Sequence, residues 1–289
     1  VDETDEWIVR RNGNGGALKS WKSKNGTPEH VDFHMTTRHI WEAEYRPLLV
    51  EKPSERTIAV EDAKALIKRH HKGGRFATFG FTFIWEILRG SLGDLTLYTA
   101  VYDDPGWIHD FNRVYTDLYK VCFEVLVAAG VKPDAIFMYE DFGYKDRVFI
   151  NPETYRELFF PYYTEMVDFY HGHGLPVLLH SCGYQEPVIP LVVEAGFDAL
   201  NPMEVKAGND IFKYAEMYGD KIAFVGGLDE RILETGDRDL IRKGVRDFVE
   251  GMRERGARFV YGSDHSISPN VDLDDYSYSL DVYRECREN

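Results

Sequence analysis

Cysteine is scarce in this chain: Cys122, Cys182 and Cys286 are the only three in 289 residues. Their odd number and wide spacing argue against a disulfide framework and suit a reducing compartment. Basic charge is also short, with 34 Lys and Arg against 49 Asp and Glu and a formal net charge of −15. The cations are spread along the chain and form no basic stripe, which argues against nucleic acid or an acidic membrane as partner. Long apolar runs are missing as well. The hydrophobic segments are short and bounded by polar residues, so none is long enough to span a bilayer. The opening residues, Val1 to Glu6, are mostly acidic and carry no signal-peptide pattern. A cytoplasmic protein is expected. No Gly-x-Gly-x-x-Gly fingerprint follows any apolar run, which removes the usual dinucleotide site of an open α/β sheet.

What is present is an alternation. A hydrophobic content of 44% is enough for one large core. Residues 1–35 read as a β-hairpin insertion, with a strand running from Glu6 into the Gly/Asn turn at Asn12 to Gly16 and returning over Ala17 to Trp21. From there short apolar runs alternate with stretches of helical spacing. The runs are Phe76 to Gly80, Ala135 to Tyr139, Val177 to His180, Ala199 to Pro202, Ile222 to Gly226 and Phe259 to Gly262. Runs that are apolar on both faces and separated by helices predict parallel strands covered on both sides. Helix signals agree: Asn151-Pro152-Glu153 pairs an Asn cap with Pro at the first helical position, and Gly172 and Gly174 read as stop signals. The expected fold is α/β, a (β/α)8 TIM-type barrel, with residues 36–289 as the barrel of a single domain spanning 1–289.

In a barrel the reacting groups lie at the C-terminal ends of the strands. Four such ends carry polar residues that a core does not need: Glu140-Asp141, His180-Ser181-Cys182, Asn201 with Glu204, and Ser263-Asp264-His265. Gly226-Gly227-Leu228-Asp229 adds a fifth with one carboxylate. His180 and Cys182 are two apart, so continued strand geometry puts both side chains on one face. Imidazole nitrogen and thiolate sulfur are zinc ligands, and a catalytic zinc takes three protein ligands plus an open position. His265 and the carboxylate of Glu140 are the candidates for the third. The alternative is a hydrogen-bonded barrel-mouth histidine beside a small buried cysteine. Glu140 and Asp141 are adjacent and point to opposite faces, so one can reach the pocket while the other orients a loop; a solvated acidic loop is the competing reading. His70-His71 reads as solvated surface. His171 and His173 flank a helix end, where a cationic side chain favours the dipole.

From Phe76 to Glu285 the chain resembles the uroporphyrinogen decarboxylase superfamily. The matching pieces come in the family's order. They are Glu140-Asp141-Phe142-Gly143-Tyr144, Ile150-Asn151-Pro152-Glu153 with Phe160-Pro161-Tyr162-Tyr163, and Leu179-His180-Ser181-Cys182-Gly183. Glu194 to Pro202, Val225 to Asp229 and Gly262 to Pro269 follow. The joint order is what makes the resemblance specific.

That superfamily holds metal-free decarboxylases of porphyrinogen carboxylates and zinc-dependent methyltransferases that use a corrinoid protein, including coenzyme M methyltransferases and O-demethylase components. The His-x-Cys-Gly at His180 is similar to the methyltransferase branch. The resemblance implies zinc held by His180, Cys182 and His265, with Glu140 completing the coordination or orienting the substrate. It implies a pocket shaped by Glu204 and Asp229, a small-molecule substrate, and a corrinoid carried by a partner protein. The coenzyme M enzymes have a cysteine at the position of His265, and the decarboxylases keep a non-ligand histidine in that loop. A metal-free decarboxylase using Glu140, Asp141 and His265, and a non-catalytic corrinoid- or tetrapyrrole-binding barrel, therefore stay open. In the family two strands and a helical segment precede the region matching Asp5-Glu6-Trp7. The expectation is that the chain lacks these first two strands, about 60 to 80 residues. Uncovered barrel edges would favour a homodimer.

Overall fold

The computed structural model describes residues 2–24, 26, 28–56 and 59–288. Val1, Asn25 and Thr27 of the predicted hairpin lie outside the described residues, as do Thr57, Ile58 and Asn289. The chain divides into two compact units, one of Val1–Asp134 with Glu153–Phe169, the other of Ala135–Pro152 with Tyr170–Asn289.

In the first unit the expected hairpin is a four-stranded antiparallel meander. Its strands are β1 (Asp2–Glu3), β2 (Trp7–Arg11), β3 (Gly16–Trp21) and β4 (Glu29–Phe33), paired in that order. The β2–β3 turn forms because Asn12 Oδ1 accepts from both Asn14 N and Gly16 N, each at 3.0 Å. Lys19 lies over the rings of Trp7 and Trp21 at 4.8 and 4.4 Å, a cation–π clasp on one face of the meander. Strand β5 (Thr78–Thr82) sits two residues later than the apolar run suggested. The helices Ile84–Asp103 and Pro105–Ala128 follow it. Asp104 caps the second by accepting from Trp107 N, and Pro105 stands at its first position.

That second helix is tied to Glu165 by Arg113 (2.9 Å) and Lys120 (2.5 Å). The Arg113 hydrogen bond, against some desolvation and with help from Lys120, holds the Glu165 carboxyl below the ordinary glutamate value. A lowered folded value means the contribution is present above the unfolded pKa and lost as pH falls through the folded one. The Glu165→Gln variant should therefore lose up to about 1 kcal/mol at neutral pH. Its stability curve should converge with the parent's in acid, as read by urea midpoints across pH; parallel curves would refute this.

In the second unit five parallel strands form one sheet in chain order: β6 (Ala135–Tyr139), β9 (Val177–His180), β10 (Ala199–Asn201), β11 (Ala223–Val225) and β12 (Phe259–Val260). A small antiparallel pair, β7 (Gly143–Tyr144) and β8 (Arg147–Val148), lies between β6 and β9 in sequence. The register aligns Tyr139, His180 and Asn201 across β6, β9 and β10. Intervening helices bury one stripe each. Arg238–Glu254 places Ile241, Val245, Phe248, Val249 and Met252 inward at helical spacing. Each fully buried Leu or Phe of this layer contributes about 1.5–3 kcal/mol. Parallel strands alternating with helices make this an α/β fold of the TIM-barrel class, as the pattern predicted. Among the described residues no helix is long and apolar enough to cross a membrane.

Two histidines read as surface or helix-end cations have specific partners. Asp134 accepts from Ala77 N (2.7 Å) and meets His71 Nε2 (2.9 Å). Asp198 accepts from Val177 N (2.7 Å) and meets His171 Nε2 (2.8 Å). In both, one carboxylate joins the end of a helix to the start of the strand that follows.

Candidate metal centre at the C-terminal strand ends

The second unit contains the whole candidate site. At the end of β9 the chain leaves the sheet through Ser181-Cys182-Gly183. The turn is tight because Gly183 has φ +75°, and a Cβ there would lie 2.5 Å from the backbone carbon of Gly143. Gly143 is equally close-packed, 2.5 Å from the Cys182 carbonyl oxygen by the same construction. Backbone meets backbone here, and only glycine leaves the room. Ser181 Oγ accepts from Phe142 N at 3.0 Å and Asp141 Oδ1 accepts from Cys182 N at 2.8 Å, fastening the loop after β9 to the loop after β6. The carboxamides of Asn209 and Gln185 hold its other side. Asn209 donates to Gly183 O (2.8 Å) and Glu204 O (2.8 Å) and accepts from Gln185 N (2.9 Å).

Held this way, Cys182 Sγ stands 3.3 Å from His180 Nε2. The predicted same-face projection of the pair is what the structure has. Two overlapping triads share this sulfur, Asp141 with His180 and Cys182, and Cys182 with Glu204 and His265; the ligand atoms within each lie within 4.8 Å of one another. Metal–ligand bonds of about 2.0–2.3 Å place two ligands of one tetrahedral zinc about 3.5 Å apart. The His180–Cys182 separation fits that spacing, and sulfur, nitrogen and carboxylate oxygen are the donors zinc takes. A pocket of about 400 Å³ opens beside them, lined by His180, Cys182, Asn201, Gly226, Ser263 and His265 among others.

His265, expected as a ligand, is brought to the cysteine from the loop after β12. Glu204, expected to shape the pocket, stands within ligand reach and also accepts from Gly183 N at 2.9 Å. Two expectations need correction. Glu140 is not in either group; it is fully buried, and Asp141 takes the place beside His180. The pleat of β6 explains this. Phe137 and Tyr139 turn towards His180, with ring centroids 6.1 and 5.4 Å away, while Ile136, Met138 and Glu140 alternate with them and are all fully buried. Asp229 is also elsewhere. It caps the helix Glu230–Glu234 and grips Arg231 at 2.7 Å, whose hydrogen bond holds its carboxyl below the usual range. It lines a separate cavity of about 300 Å³ with Ile211, Phe212 and Phe248.

Residues 61–286 match the profile of the uroporphyrinogen decarboxylase (URO-D) family. The chain belongs to that family. Over 190 residues it is 23% identical to the uroporphyrinogen decarboxylase of Campylobacter fetus subsp. fetus (strain 82-40). That stretch is 64% of this chain and 50% of the relative, so the chain spans about half the length of the curated relative it matches. A methyltransferase from Methanosarcina mazei is similar in structure, with a TM-score of 0.63 and 15% identity. The similarity covers 96% of this chain and 75% of that one, and it speaks to the fold. The two triads draw their residues from the ends of β6, β9, β10 and β12.

Sequence reasoning named Asp264 only as part of a polar strand end and passed over Asn209 and Gln185; all three are at most 3% exposed. Asp264 accepts from Val205 N (2.8 Å) and Glu230 N (2.9 Å), so one carboxylate pins the loops that carry Glu204 and Asp229. Burial pushes its carboxyl above the usual range, against the pull of those two amides. The only local signal was its place between two polar residues at a strand end.

Proposed function

We propose that this chain is the catalytic barrel of a zinc-dependent methyltransferase that moves a methyl group between a small methylated substrate or thiol and a corrinoid protein. The observation that carries the reading is the convergence of Asp141, His180, Glu204 and His265 on the Cys182 sulfur. His180 and Cys182 would hold the metal, and His265, which groups with Cys182 and Glu204 rather than with His180, would close in as the third ligand, leaving the fourth position to the substrate. Zinc bound there supplies Lewis acidity to the sulfur or oxygen that gives or receives the methyl group. The remaining work falls to the chain. Asp141 fixes the loop of the cysteine by accepting its amide hydrogen. Asp264 and Asn209 set the height of Glu204 through its neighbouring backbone. The 400 Å³ pocket is large enough for a small-molecule substrate. The corrinoid partner is assigned from the likeness of His180-Ser181-Cys182-Gly183 to the methyltransferase branch.

Metal analysis of the purified protein tests the reading. About one zinc per chain, with methyl transfer to reduced corrinoid in the presence of a thiol or methylated donor, is the expected result. Metal-free protein that consumes a porphyrinogen would replace this reading with decarboxylation.

A further inference from the structure

Asn201 ends β10 directly across from His180, and its side chain is held at both ends. Its Nδ2 lies 2.8 Å from the Val225 carbonyl oxygen, which can only accept a hydrogen bond. That contact settles which end of the carboxamide is nitrogen. Its Oδ1 therefore faces His180 Nδ1, at 2.6 Å, as an acceptor. A neutral imidazole has one N–H and one lone pair, and an acceptor at Nδ1 draws the hydrogen there. Nε2, 3.3 Å from Cys182 Sγ, is then left with its lone pair.

An opposing pull acts on the other ring nitrogen. Asp141 Oδ1 lies 3.9 Å from His180 Nε2, and the cysteine sulfur is closer still. Both are acceptors that favour a hydrogen on Nε2, which would turn His180 from a donor atom for metal into a hydrogen-bond donor. With nothing at Nδ1, that form wins.

We propose that Asn201 is the positioning residue that holds His180 in the Nδ1–H tautomer and keeps Nε2 as a lone pair towards Cys182. Its anchor, the Val225 carbonyl at the end of β11, makes the tautomer a property of three adjacent strands. The inference rests on the proposed metal site for its consequence, but the tautomer itself does not depend on metal.

Nitrogen-15 NMR of histidine-labelled, metal-free protein reads the tautomer directly; His180 should carry its hydrogen on Nδ1. In Asn201→Leu the hydrogen should move to Nε2, and zinc affinity by chelator competition should weaken about 10–100-fold. Asn201→Asp keeps an acceptor for His180 but sets an oxygen against the Val225 carbonyl, so it should lose some stability while retaining the Nδ1–H form and most of the affinity. Wild-type His180 found in the Nε2–H form overturns the proposal, as does a folded Asn201→Leu with wild-type tautomer and affinity. Should Asn201→Leu fail to fold, the wild-type spectrum and Asn201→Asp decide. A wild-type protein with the Nδ1–H form and no zinc affinity would sink the methyltransferase reading and leave the role of Asn201 standing.

Discussion

Replacing Cys182 with alanine should remove bound zinc and lower methyl transfer by about 10²–10⁴-fold, the equivalent of several kcal/mol of lost Lewis-acid stabilisation. The fold should survive. Cys182 is half-buried, and its hydrogen bond to Asp141 is made by its backbone amide, which alanine keeps. Its sulfur is the atom common to both triads, so no other single change removes a donor from each. His265→Ala and Glu204→Gln each remove one neighbour and should weaken zinc less. Zinc content and a thermal melt on one preparation check the prediction. Zinc retained at the parent level in Cys182→Ala would mean that the sulfur is not a ligand.

Asp264→Ala should be the most destabilising single change in the second unit outside its apolar core. It leaves the amides of Val205 and Glu230 without their acceptor, and each buried unsatisfied group costs about 1–3 kcal/mol. A loss of about 2–4 kcal/mol in urea unfolding is expected. Asp264→Asn should recover part of it, because one carboxamide oxygen can still accept while the NH₂ opposes the second amide. Zinc affinity should fall alongside, since Glu204 immediately precedes Val205. A variant that binds zinc normally after losing this stability would show that the loop's position does not matter to the site.

How far the sequence carried is clearest at particular residues. The period of two puts His180 and Cys182 on one face, and the strand-end glycines and apolar runs locate all six sheet segments to within two residues. The β5 segment was placed two residues early because Phe76 and Ala77 read as strand, whereas Phe76 is 66% exposed and Ala77 gives its amide to Asp134. The meander of residues 2–33 was read as a hairpin because its fourth strand, Glu29–Phe33, is polar and exposed on nearly every residue. It joins by backbone pairing, which leaves no hydrophobic signature.

The sequence by itself determined the family, the α/β alternation, the strand ends where polar residues gather, and the His180–Cys182 pair. Those depend on composition, on local periodicity and on motifs in order. Only the tertiary structure decided which carboxylates stand beside Cys182. Periodicity says that Glu140 and Asp141 face opposite ways but not which of them faces the pocket; the packing of Ile136 and Met138 settled it. Asp229 and Glu204 looked equivalent at two strand ends. One met the side chain and amide of Arg231 two residues on, and the other met the amide of Gly183 across 21 positions of sequence. A carboxylate's role is set by which donor reaches it first, and that is fixed by long-range register rather than by its neighbours in the chain.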